Sequence, residues 1–228
     1  MRKIKVAIAG ATGAVGREML RVLQDRDFPI DELKLLASER SAGSKIEFGD
    51  AELTVQRLTP DSFKGVHIAL FSPGATVSRE FAPYAARAGA VVVDNSSAFR
   101  MDPEIPLVVP EVNPRDLALA VKPGGRRIVA NPNCSTIQLV VALKPLHDAA
   151  TLQRLVVSTY QSVSGAGQKG IDELEKQSRA VFSLGEIETK KFAHRIAFNL
   201  IPEIGADSGN GYTDEEMKMV NETRKIMG

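Results

Sequence analysis

The chain has one cysteine, Cys134, set in Asn131-Pro132-Asn133-Cys134-Ser135-Thr136, where polar residues lead into an apolar run with a helical period. A thiol at a helix N-terminus meets the positive end of the peptide dipoles, which favours thiolate over thiol and so prepares a nucleophile. Backbone N–H groups at the same helix start can also steady an oxyanion on an attacked carbonyl. A lone cysteine also occurs as a small buried hydrophobe, and it is the polar Asn-Cys-Ser-Thr setting that argues against that here.

A second group of residues is suited to holding phosphate. Gly10-Ala11-Thr12-Gly13-Ala14-Val15-Gly16 follows an apolar strand pattern and opens a helix, with the spacing G-x-x-G-x-x-G. Glycines there let the backbone turn sharply, so that Gly10, Thr12, Gly13, Ala14, Val15 and Gly16 can approach a dinucleotide pyrophosphate at the helix start. The same spacing also suits a tight strand-to-helix turn without a ligand. After the second strand pattern comes Ser38-Glu39-Arg40-Ser41. Ser38, Arg40 and Ser41 offer a guanidinium between two hydroxyls, which fits the 2′-phosphate of NADP. Glu39 points the other way, since an acid in this place holds the ribose hydroxyl of NAD, and Arg40 can also be read as a solvated loop charge. We favour NADP. Ser72, in Phe71-Ser72-Pro73-Gly74, ends another strand pattern and either lines the same crevice or forms an ordinary turn.

Such residues need a scaffold to place them. Short β-branched runs at 4–9, 33–37, 66–71, 91–93 and 128–130 alternate with amphipathic stretches at 15–24, 79–88 and 136–146. That alternation predicts an α/β fold, a Rossmann-type doubly wound parallel sheet with ligands at the carboxyl ends of the strands. Residues 103–114 carry four prolines and read as an irregular connection. A strand is expected at 155–160, and helices at 170–182 and 214–226, the last opened by Thr213-Asp214-Glu215-Glu216 with capping-box spacing. The expected division is a nucleotide-binding domain over 1–132 and an incomplete α+β catalytic and dimerisation domain over 133–228.

Composition limits the classes of function. The 228 residues are 43% hydrophobic and 25% charged with a net charge of +1, which argues against a nucleic-acid binder or a polybasic membrane anchor. The basic start, Met1-Arg2-Lys3, precedes an apolar run that Lys5 interrupts and Gly10 ends, too short for a signal-peptide core or a membrane span. One cysteine allows no internal disulfide, and a cytoplasmic location is expected. No metal is assigned.

Several segments taken together resemble the aspartate-semialdehyde dehydrogenase family. They are Val93-Asp94-Asn95-Ser96-Ser97-Ala98-Phe99-Arg100-Met101, Pro110-Glu111-Val112-Asn113, Asn131-Pro132-Asn133-Cys134-Ser135-Thr136, Gln161-Ser162-Val163-Ser164-Gly165-Ala166-Gly167 and Ala197-Phe198-Asn199. Ser38-x-Arg40-Ser41 is similar to that family's NADP-binding segment. The resemblance implies that Cys134 attacks the acyl carbon of aspartyl phosphate, expels phosphate and forms a thioester, which NADPH reduces to aspartate semialdehyde. It implies that Arg100 binds the phosphate, that Asn133 is a further substrate- or phosphate-binding residue, that Gln161 orients the substrate beside the thiol, and that Ser164 and Gly165 pass near the nicotinamide. Glu215 and Lys218 match a substrate-contacting Glu-x-x-Lys pair, at i and i+3 on one helical face. The partners implied are these small molecules and a second copy of the chain in a homodimer. Read alone, Arg100 also fits a surface ion pair, Gln161 a loop hydrogen-bonder, and Glu215 with Lys218 an exposed salt bridge.

The resemblance further implies a segment beyond a helix like that of 213–227, carrying an acid/base histidine and an arginine for the substrate carboxylate. Neither can be placed in this sequence, and its three histidines, His67, His147 and His194, each read as structural rather than catalytic. The expectation is therefore a shortened sequence with reduced activity, since losing a general base costs about 10²–10⁴-fold. Two other functions compete. One is an N-acetylglutamyl-phosphate reductase type, which has glycine before its cysteine where Asn133 stands here. The other is a non-catalytic NADP-binding module, which has no need of Cys134, Gln161 and Arg100 together.

Overall fold

The computed structural model describes residues 3–228, so the basic start at Met1 and Arg2 lies outside the described residues. Two compact units are formed, one running to Arg154 and including Lys218–Gly228, the other comprising Leu155–Met217.

The first unit contains, in chain order, β1 (Ile4–Ala9), α1 (Ala14–Asp25), β2 (Ile30–Ala37), β3 (Lys45–Phe48), β4 (Ala51–Thr54), β5 (Gln56–Arg57), β6 (Ile68–Phe71), α2 (Ala75–Arg87), β7 (Val91–Asp94), α3 (Leu117–Val121), β8 (Ile128–Ala130) and α4 (Cys134–Ala150). Six strands make one sheet in the order β5-β2-β1-β6-β7-β8, every neighbouring pair parallel. This is the Rossmann-type α/β sheet the alternating pattern predicts. The chain winds from β1 out to β2 and β5, then returns to build β6, β7 and β8 on the other side. The order therefore reverses between β1 and β6, and crevices for ligands open at such a switch point.

Both faces of the sheet are covered, which explains its nearly unbroken apolar strands. Ala7 and Ala9 of β1 pack into a core with Ala82 and Ala85 of α2, Val140 of α4 and Ile226. Ile8, between them in sequence, points to the opposite core with Leu20 of α1, Leu35, Ile46 and Val55. That is the two-residue alternation of a strand buried on each side.

Helix boundaries depend on caps more than on the apolar period. The helix expected at 136–146 starts at Cys134, because the Asn133 side chain accepts from Ser135 N–H, and it runs through Pro145 to Ala150. The helix expected at 79–88 starts at Ala75, after Gly74 at φ 92°. The β3–β4 hairpin, joined through Gly49 and Asp50, and the two-residue β5 have no counterpart in the sequence reading. Their mostly exposed, charged residues give little apolar signal.

The second unit holds α5 (Gln168–Phe182) and the first turn of α6 (Asp214–Met227), whose residues from Lys218 onward belong to the first unit. The capping box expected before α6 forms: Thr213 N–H donates to Glu216 Oε2 at 2.6 Å, and Glu216 N–H to Thr213 Oγ1 at 3.3 Å. The strand expected at 155–160 does not form. Those residues have no ladder partner among the described residues, and Val156 and Tyr160 are 79% and 86% exposed. A β-branched run favours an extended backbone, but a strand exists only through pairing. Among the described residues no helix is long and apolar enough to cross a membrane.

Candidate active site

The glycine turn is shaped by backbone packing. Gly10 has φ +85°, and a Cβ there would lie 2.8 Å from the Ser72 carbonyl carbon; one on Gly16 would lie 2.2 Å from the Gly10 carbonyl oxygen. Neither position has room for a side chain, so the end of β1, the start of α1 and the residues after β6 close tightly on one another. Gly13 precedes α1 and no side chain caps that helix. The N-terminal N–H groups of Ala14, Val15 and Gly16 are thus the kind that an anion satisfies. Thr12 lies within this turn, and Ser72 N–H donates to Ala9 O at 2.9 Å, placing Ser72 beside it. At the end of β2, Ser38 leads into a short 3₁₀ turn over Glu39–Ser41. Glu39 is engaged with Arg57 at 3.2 Å, while Arg40 is exposed and its side chain has no hydrogen bond or ion pair among the described residues.

The thiol turn is shaped by side chains. Cys134 is exposed and opens α4. The N–H groups of its neighbours are already used: Ser135 N–H donates to Asn133 Oδ1 at 3.0 Å and Asn133 N–H to Glu222 Oε2 at 2.6 Å. An oxyanion at this turn therefore cannot draw on those two groups. Arg100 is 9% exposed, not at the surface, and its guanidinium is heavily bonded. Nε donates to the carbonyls of Ser96 and Asn131, Nη2 to that of Asn95 at 3.0 Å, and Nη1 to Glu222 Oε1 at 3.1 Å. The loop carrying Arg100 is tied down in turn. Buried Asp94 accepts from Ser78 Oγ and Ser96 Oγ, each at 2.7 Å, and Asn131 Nδ2 donates to Asn95 Oδ1 at 2.6 Å. Lys225 Nζ donates to the carbonyls of Arg100, Asp102 and Ile105 at 2.8, 2.6 and 2.9 Å. Burial holds its ammonium below the usual lysine range, with Asp102 opposing that shift.

The structure thus brings Arg100 and Asn133, the residue before Cys134, together around one carboxylate, Glu222, which sequence reasoning missed. A signal existed: Glu222 lies on the helical face that carries Ile226 four residues later, and a carboxylate on a buried face needs donors. Lys218 belongs to the same unit as these residues.

In the second unit, Gln161 Nε2 donates to Glu215 Oε1 at 3.1 Å, so these two expected substrate contacts are brought together. Ser164 N–H donates to Ser162 Oγ at 3.1 Å in a 3₁₀ turn that includes Gly165. Glu173 and Gln177 of α5 pin the irregular chain that follows. Glu173 accepts from the N–H groups of Lys190, Lys191 and Phe192, and Gln177 from those of Ile196 and Ala197. None of the histidines is placed for chemistry: Nδ1 of His67 accepts from Lys5 N–H and that of His147 from Leu152 N–H, while His194 is exposed. Among the described residues no group of three acidic, histidine or cysteine side chains is placed to hold a metal ion.

Comparison with known proteins bears on both units. Residues 5–120 match the family described as semialdehyde dehydrogenase, NAD binding domain, and residues 143–228 its dimerisation domain. Aspartate-semialdehyde dehydrogenase of Aquifex aeolicus is 57% identical over 225 residues, covering 98% of this chain and 65% of that relative. The crystal structure of aspartate semialdehyde dehydrogenase II from Vibrio cholerae complexed with ASA superposes with a TM-score of 0.95 at 55% identity, over 100% of this chain and 67% of that one. The Candida albicans enzyme solved with NADP superposes with a TM-score of 0.71 at 28% identity, over 100% of this chain and 61% of that one. The chain thus spans about two thirds of the length of the relatives it matches. With a nicotinamide-dinucleotide fold at one end of the sheet edge, a thiol at a helix start at the other, and this agreement over nearly all its residues, the chain belongs to the aspartate-semialdehyde dehydrogenase family.

Proposed function

We propose that the chain carries the cofactor and thiol machinery of an enzyme that converts aspartyl phosphate to aspartate semialdehyde and phosphate, on the route to lysine, methionine and threonine. The observation that carries this reading is the exposed Cys134 at the N-terminus of α4, on the sheet edge that also bears the glycine turn. In this reading the Cys134 thiolate attacks the acyl carbon, the carbonyl π electrons move to oxygen, and their return expels phosphate to leave a thioester. Arg100 binds the phosphate, Asn133 holds the thiol turn, and Gln161 orients the acyl group. Glu215 takes the substrate amine and Lys218 the phosphate. NADPH, when bound, would supply the hydride for reducing the thioester held on Cys134.

For the cofactor we favour NADP over NAD. Glu39, the acid that would serve an NAD ribose, is paired with Arg57, whereas Arg40, beside Ser38 and Ser41, is exposed and unengaged among the described residues. Gly10, Thr12, Gly13, Ala14, Val15 and Gly16 would cradle the pyrophosphate with Ser72 alongside, and Ser164 and Gly165 would approach the nicotinamide. The relative solved with NADP supports the choice.

The domain division belonging to this reading is nucleotide binding over 1–132 and catalysis with dimerisation over 133–228. A homodimer is supported by the match to a dimerisation domain and by the exposed Val156, Tyr160, Phe182, Leu184, Phe198 and Leu200, since exposed apolar surface marks association sites. A cytoplasmic location suits a working thiol, which needs a reducing compartment.

Selective labelling tests the proposal. An aspartyl-like electrophile should modify Cys134 in the folded chain faster than in the urea-unfolded chain, and NADP should change that rate. Equal rates in both states, with no response to NADP, would refute it.

A further inference from the structure

We propose that Glu222 is a positioning residue that holds the phosphate-binding guanidinium and the nucleophile's turn in register, an inference resting on the roles given above to Arg100 and Cys134. The carboxylate is 2% exposed and divides its two oxygens between two segments of the site. Oε1 accepts from Arg100 Nη1 at 3.1 Å, and Oε2 from the Asn133 N–H at 2.6 Å. Asn133 is the N-cap of α4, so the atom Glu222 grips is one residue from the thiol-bearing Cys134.

The remaining bonds show why this group sets the spacing. Arg100 reaches back to the carbonyls of Asn95, Ser96 and Asn131, so its guanidinium already bridges the loop after β7 and the turn after β8. Those carbonyls fix where the guanidinium lies but leave its charge unpaired in a buried site. Glu222 supplies that charge from α6, and its second oxygen ties the result to the cysteine turn. Ile226 in the core and Lys225 on three carbonyls of the Arg100 loop hold α6 in place while it does so. A glutamine could satisfy one of the two donors through its oxygen, but its amide would present a donor to the other. An aspartate keeps the charge, yet is one methylene too short to span both.

The experiment follows Cys134 alkylation by iodoacetamide in the full chain, with inorganic phosphate as the protecting probe. For folded Glu222→Gln, the phosphate concentration giving half-protection should rise roughly tenfold or more, the scale of loss when a reacting group is displaced by a fraction of an ångström. Glu222→Asp should lie between wild type and Glu222→Gln. A carboxylate that served stability alone would lower Tm and leave half-protection where it was in the folded variants; that result overturns the proposal. Amide exchange at Asn133 in the unaltered chain needs no variant. Slow exchange is expected, and exchange at the rate of an open loop overturns the proposal even if neither variant folds. If phosphate fails to protect the wild type, the role given to Arg100 fails, and Asn133 exchange, slow in wild type and fast in Glu222→Gln, still decides whether Glu222 holds the turn.

Discussion

The glycine turn and the thiol turn lie on the same edge of one sheet and are built by opposite means. At the glycine turn, geometry comes from missing side chains: Gly10 and Gly16 let three backbone segments close to distances that no Cβ permits. At the thiol turn, geometry comes from buried charge: Arg100 and Glu222 hold segments 122 residues apart in sequence. A site made by omission should fail when volume is added, and a site made by pairing should fail when a charge is removed.

The sharpest break of that contrast is Glu222→Ala. Removing one partner of a buried ion pair leaves the other charge uncompensated, and a loss of about 3–5 kcal/mol in urea unfolding is expected. A loss under about 1 kcal/mol, as at a surface pair, would remove the distinction between the two turns. Next comes Gly16→Ala, where a methyl group must displace backbone. A cost of about 2–3 kcal/mol is expected from overpacking, together with loss of NADP binding by calorimetry. A stable, binding-competent Gly16→Ala chain would show that the close approach is dispensable.

Arg40→Gln sharpens the comparison from the cofactor side, where one side chain is given a role in charge recognition. Its removal should weaken NADP about tenfold, the worth of a charge-assisted contact, and leave NAD binding unchanged. Equal loss for both cofactors would mean that Arg40 does not read the 2′-phosphate.

Glu173 carries the buried-carboxylate design into the second unit, and its effect should be the smallest of the four at neutral pH. Burial pushes its carboxyl up, but the N–H bonds from Lys191, Lys190 and Phe192 outweigh that and leave it below the ordinary 4.5. A depressed carboxyl contributes stability that is complete above the unfolded value and is lost as pH falls through the lower folded one. Glu173→Gln should therefore melt a few degrees below wild type at pH 7, and the gap should close below about pH 4.5. A gap that is constant down to pH 3 would mean the ionised form is not what pins residues 190–192.

This contrast also explains what could be read in the sequence. Gly10 to Gly16 spans seven consecutive residues, so its meaning lies in local spacing, as do the Asn133 cap and the Thr213–Glu216 capping box. The parallel sheet was legible because burial on both faces leaves uninterrupted apolar runs. Residues 155–160 misled because their composition reports extended backbone and says nothing about a partner strand. Glu222 and Lys225 were hard to read for the complementary reason, the place of Glu222 on the face of Ile226 being the one local sign. As letters in α6 they look like a solvated charge pattern, and their purpose depends on carbonyls and N–H groups contributed by the loops after β7 and β8. Arg100 stood between these cases, named by resemblance and indistinguishable by spacing from a surface ion pair.

The ammonium of Lys225 seated among three carbonyls has a consequence for how the chain matures. Those carbonyls belong to residues 100–105, and the cation that organises them arrives 120 to 125 residues later. During synthesis the loop that bears the guanidinium must therefore wait, without its organising charge, until α6 has emerged. Contacts this distant in sequence are entropically expensive and close late. The parallel sheet can assemble first, and the loop bearing Arg100 is ordered only once α6 has docked on it.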